Sequence, residues 1–120
     1  MATALIVEDS LTDRELLTNY LQQSGVTVTS AQSSEEALQM LKTTPPDLLF
    51  LDVVLPGQSG FEFCRDLKTD ENTQNIPIVI CSTKGTEADK LWGSMLGADA
   101  YLTKPVDQQQ ITQTVEQLMP

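Results

Sequence analysis

The chain has no histidine, and only 7 of its 120 residues are Lys or Arg, against 17 that are Asp or Glu. The missing histidine removes imidazole acid–base chemistry and the commonest zinc ligand. A formal net charge of −10 leaves no basic face for a nucleic acid, so none is expected as a partner. No apolar run approaches the roughly 18 residues of a membrane span, which excludes membrane insertion by a helix. The opening "MATALIVEDS" lacks the basic start and long apolar stretch of a signal peptide. The two cysteines, Cys64 and Cys81, sit in apolar surroundings without metal-like spacing. They read as buried, reduced thiols, and the protein as cytoplasmic. There is no repeat, low-complexity tract or linker.

What is present is an ordinary globular balance, 40% apolar and 20% charged, in a length suited to one domain. Short apolar runs alternate with amphipathic stretches. "TALIVE" (3–8) reads as a first strand. A helix follows with Leu17, Tyr20 and Leu21 inward; Thr12 and Glu15 carry a capping-box signature and Gly25 is a stop. "VTVTSA" (26–31) alternates and reads as a strand nearer an edge. Ser33 and Glu36 fit the cap of a second helix whose stripe is Ala37, Leu38 and Leu41, ended by Pro45-Pro46. "DLLFLD" (47–52) is apolar on both faces, which suits a central strand covered on both sides. Phe61, Cys64 and Leu67 mark a third helix over about 60–68. "IPIVICS" (76–82) is a fourth strand, and a helix over about 87–96 ends at Gly97. "AYLT" (100–103) is a fifth strand. Asp107 and Gln110 cap a last helix with Ile111, Val115 and Leu118 inward. Five βα units in a row make an α/β fold, a doubly wound (βα)5 parallel sheet wrapped by helices on both sides.

One stretch, "PPDLLFLDVVLPGQSG" (45–60), ends its apolar strand on Asp52, a costly place for a carboxylate unless something uses it. Ligands of open α/β sheets bind beyond the carboxyl ends of the strands. There the first strand offers Glu8 and Asp9, the third Asp52, the fourth Ser82 and Thr83, the fifth Lys104 and Pro105. Each alone has a plain structural reading: a turn aspartate, a helix cap, a surface lysine, a loop. Together they make an oxygen-only cation site with its own counter-charge, which suits Mg²⁺. Packed carboxylates repel unless a cation intervenes.

"VEDS" (7–10), "LDVVLPGQSG" (51–60), "IVICST" (78–83) and "GADAYLTKPV" (97–106), in this order and spacing, resemble the receiver domain of two-component response regulators, of the chemotaxis-regulator type. The resemblance covers the whole chain, 1–120, as one receiver domain with no room for an output domain, and implies a flavodoxin-like strand order 2-1-3-4-5. It implies that Asp52 accepts a phosphoryl group from a phosphohistidine of a partner histidine kinase. Mg²⁺ would be held by Glu8, Asp9, Asp52 and the backbone carbonyl of Val54. Ser82, Thr83 and Lys104 would contact the phosphoryl group, the Lys104–Pro105 bond would be cis, and Gly57 and Gly60 would let the loop turn. Ser82 and Tyr101 would form the switch that changes the surface of the fourth helix, fifth strand and fifth helix, read by a downstream effector. The chain is expected to be a monomer, with its oligomeric state left open by the sequence, and not an enzyme beyond Mg²⁺-dependent autophosphorylation from a phosphodonor and slow autodephosphorylation.

The chain also departs from the family pattern. Thr83 stands where the family usually has alanine, and Val54 and Lys84 flank the path of hydrolytic water. Trp92 resembles the single-domain regulators of pilus-driven motility and phototaxis, which makes a motility component one candidate effector. Packing explains a helical tryptophan equally well. The alternatives are a pseudo-receiver that serves only as an interaction module and a haloacid-dehalogenase-type phosphatase. The phosphatase wants a second acid where Val54 stands. A dinucleotide-binding domain is excluded because no glycine-rich turn follows the first strand.

Overall fold

A computed structural model describes residues 2–119. Strands β1 (Thr3–Val7), β2 (Thr27–Ala31), β3 (Leu48–Leu51), β4 (Ile78–Ser82) and β5 (Ala100–Thr103) alternate with helices α1 (Leu11–Gln23), α2 (Ser34–Thr43), α3 (Gly60–Thr69), α4 (Glu87–Met95) and α5 (Gln108–Leu118). The sheet is wholly parallel in the order β2-β1-β3-β4-β5, as the resemblance implies. All of β3 and β4 is buried, while the alternating β2 is mostly exposed and lies at one edge. Continuous apolar runs go to covered strands because both of their faces meet helices.

Two apolar layers flank the sheet. One gathers Leu5, Val7, Leu49, Leu51 and Ile78 against Ala37 and Leu41 of α2 and Phe63, Cys64 and Leu67 of α3. The other packs Ala4, Ile6, Phe50 and Val79 against Leu17 and Leu21 of α1 and Ile111 and Val115 of α5.

Three local expectations need correction. The N-cap of α1 is Ser10, whose hydroxyl accepts from the Asp13 N–H, rather than Thr12. The earlier cap wins because Ser10 directly follows the strand end and has extended backbone. Leu38 is 41% exposed; Ser34, Ala37 and Leu41 are the buried residues of α2, whose stripe is narrow because the helix covers the sheet edge. In α3 the deep phenylalanine is Phe63, with Phe61 only half-buried. Gly60, Phe63, Cys64 and Leu67 form the complete i, i+3, i+4, i+7 stripe.

Cys64 and Cys81 are free and buried. Burial pushes their thiols up to about 11 and about 12 respectively, which keeps them protonated and unreactive.

Candidate functional site

Parallel strands bring the scattered polar strand ends to one edge. Pairing sets Val7 beside Leu51, and the Asp52 N–H donates to the Val7 carbonyl (3.0 Å), so Glu8 and Asp52 leave the sheet together. The Lys104 N–H donates to the Ser82 carbonyl (2.9 Å), which fixes the start of the Lys104 loop beside the end of β4. The Lys104–Pro105 bond is cis.

Lys104 is the hub. Its ammonium donates to Glu8, to Asp13 Oδ2 (2.9 Å) and to Asp52 Oδ2 (3.1 Å). Glu8 and Asp52 are buried, and Ser82 is fully so. Asp52 Oδ1 also accepts the Val54 N–H (3.3 Å). Burial alone would raise the Asp52 carboxyl, but hydrogen bonds from Ser82 and Lys104, with the lysine charge, outweigh it and hold the group below its ordinary range. Asp52 is therefore an ionised, desolvated carboxylate. Glu8 goes the other way: burial, helped by the Asp52 charge, pushes it up to about 7 against hydrogen bonds from Lys104 and the Ser10 N–H. Lys104 is raised, because its three carboxylate partners overcome its own burial.

The remaining candidates are more peripheral. Asp9, Val54 and Thr83 are exposed, and Thr83 lines a cavity of about 290 Å³ that also touches Asp13, Asp52 and Lys104. Ser82 Oγ accepts the Lys84 N–H (3.3 Å). Tyr101 is half-buried, and its phenol donates to the Lys84 carbonyl. Burial, with Asp89 and Asp52 adding, pushes that phenol up to about 12, so it remains a donor. Its ring lies over Gly93, where an added Cβ would come within 2.9 Å of Cδ2. Ser82 and Tyr101 thus meet on one residue, Lys84. Trp92 is half-exposed on α4, which does not bury it in the core.

Among the described residues, no group of three Asp, Glu, His or Cys side chains stands ready as placed to hold a metal ion. The ammonium of Lys104 occupies the middle of the acids, and Asp9 is exposed. The donor chemistry nevertheless suits a hard cation. Every candidate atom is oxygen, and two of the carboxylates, Glu8 and Asp52, are buried side by side at the strand ends.

Sequence reasoning missed Asp13, which carries no strand-end signal. It shows only as an acid three residues past the cap of α1.

Residues 4–116 match the family model of the response regulator receiver domain. The chain belongs to that family. This receiver is 39% identical over 119 residues to the PilH protein of Pseudomonas aeruginosa, covering 99% of this chain and 98% of PilH. It is 42% identical over 103 residues to the phosphate regulon transcriptional regulatory protein PhoB of the same species, covering 86% of this chain but only 45% of PhoB. A crystal structure of a putative response regulator from Chloroflexus aurantiacus superposes with a TM-score of 0.93 at 36% identity, covering 98% of this chain and 96% of that one. Receiver domains of this family work in two-component signalling, and among the described residues no helix is long and apolar enough to cross a membrane.

Proposed function

We propose that the receiver accepts a phosphoryl group on Asp52 from a phosphohistidine of a histidine kinase and passes the signal to an effector protein. The observation that carries this reading is Asp52 itself: buried at the end of β3, held ionised, and touching the Lys104 ammonium. Its carboxylate oxygen attacks phosphorus, an O–P bond forms, the P–N bond breaks, and the electron pair stays on the kinase imidazole. Phosphoryl transfer needs positioning and charge neutralisation, which Lys104 and Ser82 can supply at the carboxylate. Mg²⁺ would be held by Glu8, Asp9, Asp52 and the Val54 carbonyl, and would neutralise charge on the transferring group. The protein turns over no substrate beyond its own phosphorylation and dephosphorylation.

Intact mass after incubation with Mg²⁺ and an acyl phosphate tests the reading. One added phosphoryl group, removed by hydroxylamine as an aspartyl phosphate is, supports it. No mass gain leaves the interaction-module reading in its place.

Signal output would run through Lys84. A phosphoryl group that draws Ser82 toward it moves the backbone on which Tyr101 rests, and with it the face of α4, β5 and α5. This is a two-state equilibrium biased by one covalent group.

Two further outcomes follow. Asp9→Asn is expected to weaken Mg²⁺ binding at least about tenfold by calorimetry, because a hard cation loses a charged ligand; unchanged affinity removes Asp9 from the site. The phosphorylated form is expected to be long-lived, since Val54 offers no hydrogen bond to an attacking water and Thr83 adds bulk at the cavity. Val54→Asn or Thr83→Ala should shorten the lifetime about threefold or more if water positioning controls it. Decay no faster in either variant assigns the lifetime to other groups.

A further inference from the structure

Asp13 stands apart from the other two partners of Lys104. It comes from the first turn of α1 rather than from a strand end, and its backbone N–H is fixed on the Ser10 hydroxyl (3.3 Å). Its carboxylate is 2.9 Å from the Lys104 ammonium, against 3.1 Å for Asp52. An ammonium has three protons to donate, and Glu8, Asp13 and Asp52 take one each. The Asp13 side chain is 41% exposed, whereas those of Glu8 and Asp52 are 5% and 9% exposed. Asp13 therefore pulls the ammonium toward the wetter side of the site, and it does so from the wall of the cavity that Asp52, Thr83 and Lys104 also line.

We propose that Asp13 is a positioning residue that holds the Lys104 ammonium partly off Asp52 and so restrains phosphoryl transfer. The proposal rests on the reading of Asp52 as phosphoacceptor. Two effects act in the same direction. Asp13 competes with the incoming phosphoryl oxygens for a donor that the transition state needs. It also places a negative charge beside the cavity from which an anionic donor would reach Asp52, and like charge at a cleft slows encounter. No sequence signal marks this role, because an exposed acid near a helix start ordinarily serves only the helix dipole.

The test uses an acyl phosphate at saturating Mg²⁺, with rates measured across donor concentration. The Asp52 oxygen attacks phosphorus, the O–P bond to the acyl group breaks, and its electron pair leaves on the acyl carboxylate. Asp13→Asn is expected to be phosphorylated about fivefold faster than wild type, a gap that narrows at high salt because Asp13 is partly exposed. Asp13→Glu, which keeps the charge, is expected to stay near the wild-type rate. Independently of phosphorylation, the NMR signal of the Lys104 Cε methylene should shift on Asp13→Asn.

A wild type that takes no phosphoryl group overturns both readings. A normally labelled wild type overturns this one alone if Asp13→Asn is no faster, if Asp13→Glu is as fast as Asp13→Asn, or if the Lys104 signal does not move.

Discussion

Asp52→Asn is expected to take no phosphoryl group under conditions that label the wild type fully. The amide is nearly isosteric with the carboxylate, so the packing at the end of β3 survives. The chemistry does not. An amide oxygen is a poor nucleophile, and it carries no charge to hold the Lys104 ammonium at 3.1 Å. The folded state loses one charged hydrogen bond of a partly buried pair, but Glu8 and Asp13 still hold the lysine, so the cost in stability should be modest, about 1–2 kcal/mol. The Asp52 charge helps push the Glu8 carboxyl up to about 7, so removing it relieves Glu8 and recovers part of the loss. Intact mass and a urea unfolding curve read the two effects separately. Equal labelling of Asp52→Asn and wild type would move the acceptor to another residue, and a drop in stability of several kcal/mol would mean that the variant fails by unfolding rather than by chemistry.

The parts of this site that could be read from sequence are those that break a strong local rule. Asp52 follows four apolar residues, all buried in β3, and no structural pattern wants a carboxylate there. Glu8 and Lys104 are marked in the same way by the ends of β1 and β5. Parallel pairing then brings them together, because in a parallel sheet every strand end points to the same edge. Asp13 breaks no rule, since acids are common in the first turn of a helix. Only the tertiary path of the Lys104 side chain gives it a role. The helix faces show the same limit. Phe61 fits a helical period with Cys64 and Phe63 with Leu67, and which phenylalanine goes inward depends on how Gly60 seats the helix at the end of β3. Leu38 fits the α2 stripe by its spacing. A helix at the sheet edge has less surface to cover, and the third apolar position was left in solvent.

Gly60→Ala is expected to destabilise the fold by about 3 kcal/mol or more, at or beyond the top of the usual range for overpacking. The reason is backbone rather than side chain. A Cβ at Gly60 would lie 1.9 Å from the Asp52 carbonyl oxygen and 2.8 Å from the Val53 Cα. Neither can rotate away, and the Gly60 N–H is already committed to the Val53 carbonyl (2.9 Å). The first turn of α3 is seated directly on the peptide that follows Asp52. Relief therefore requires either lifting the helix, which opens the layer around Phe63, Cys64 and Leu67, or pushing the Asp52–Val53 peptide, which moves the Asp52 carboxylate from Ser82 and Lys104. Gly57→Ala supplies the contrast. Gly57 has φ +72°, so alanine there carries left-handed strain of about 1–2 kcal/mol. The nearest atoms to its new Cβ belong to the carboxylate end of Glu35, at 2.9 Å, the far end of a flexible side chain that can move at the cost of its contact with the Gln58 N–H. Urea midpoints should rank wild type above Gly57→Ala above Gly60→Ala. Any folded Gly60→Ala should also be phosphorylated at least about tenfold more slowly, since a shift of a fraction of an ångström at the nucleophile is costly to transfer. A Gly60→Ala variant within about 1 kcal/mol of wild type and equally reactive would show that the helix start is not what positions Asp52.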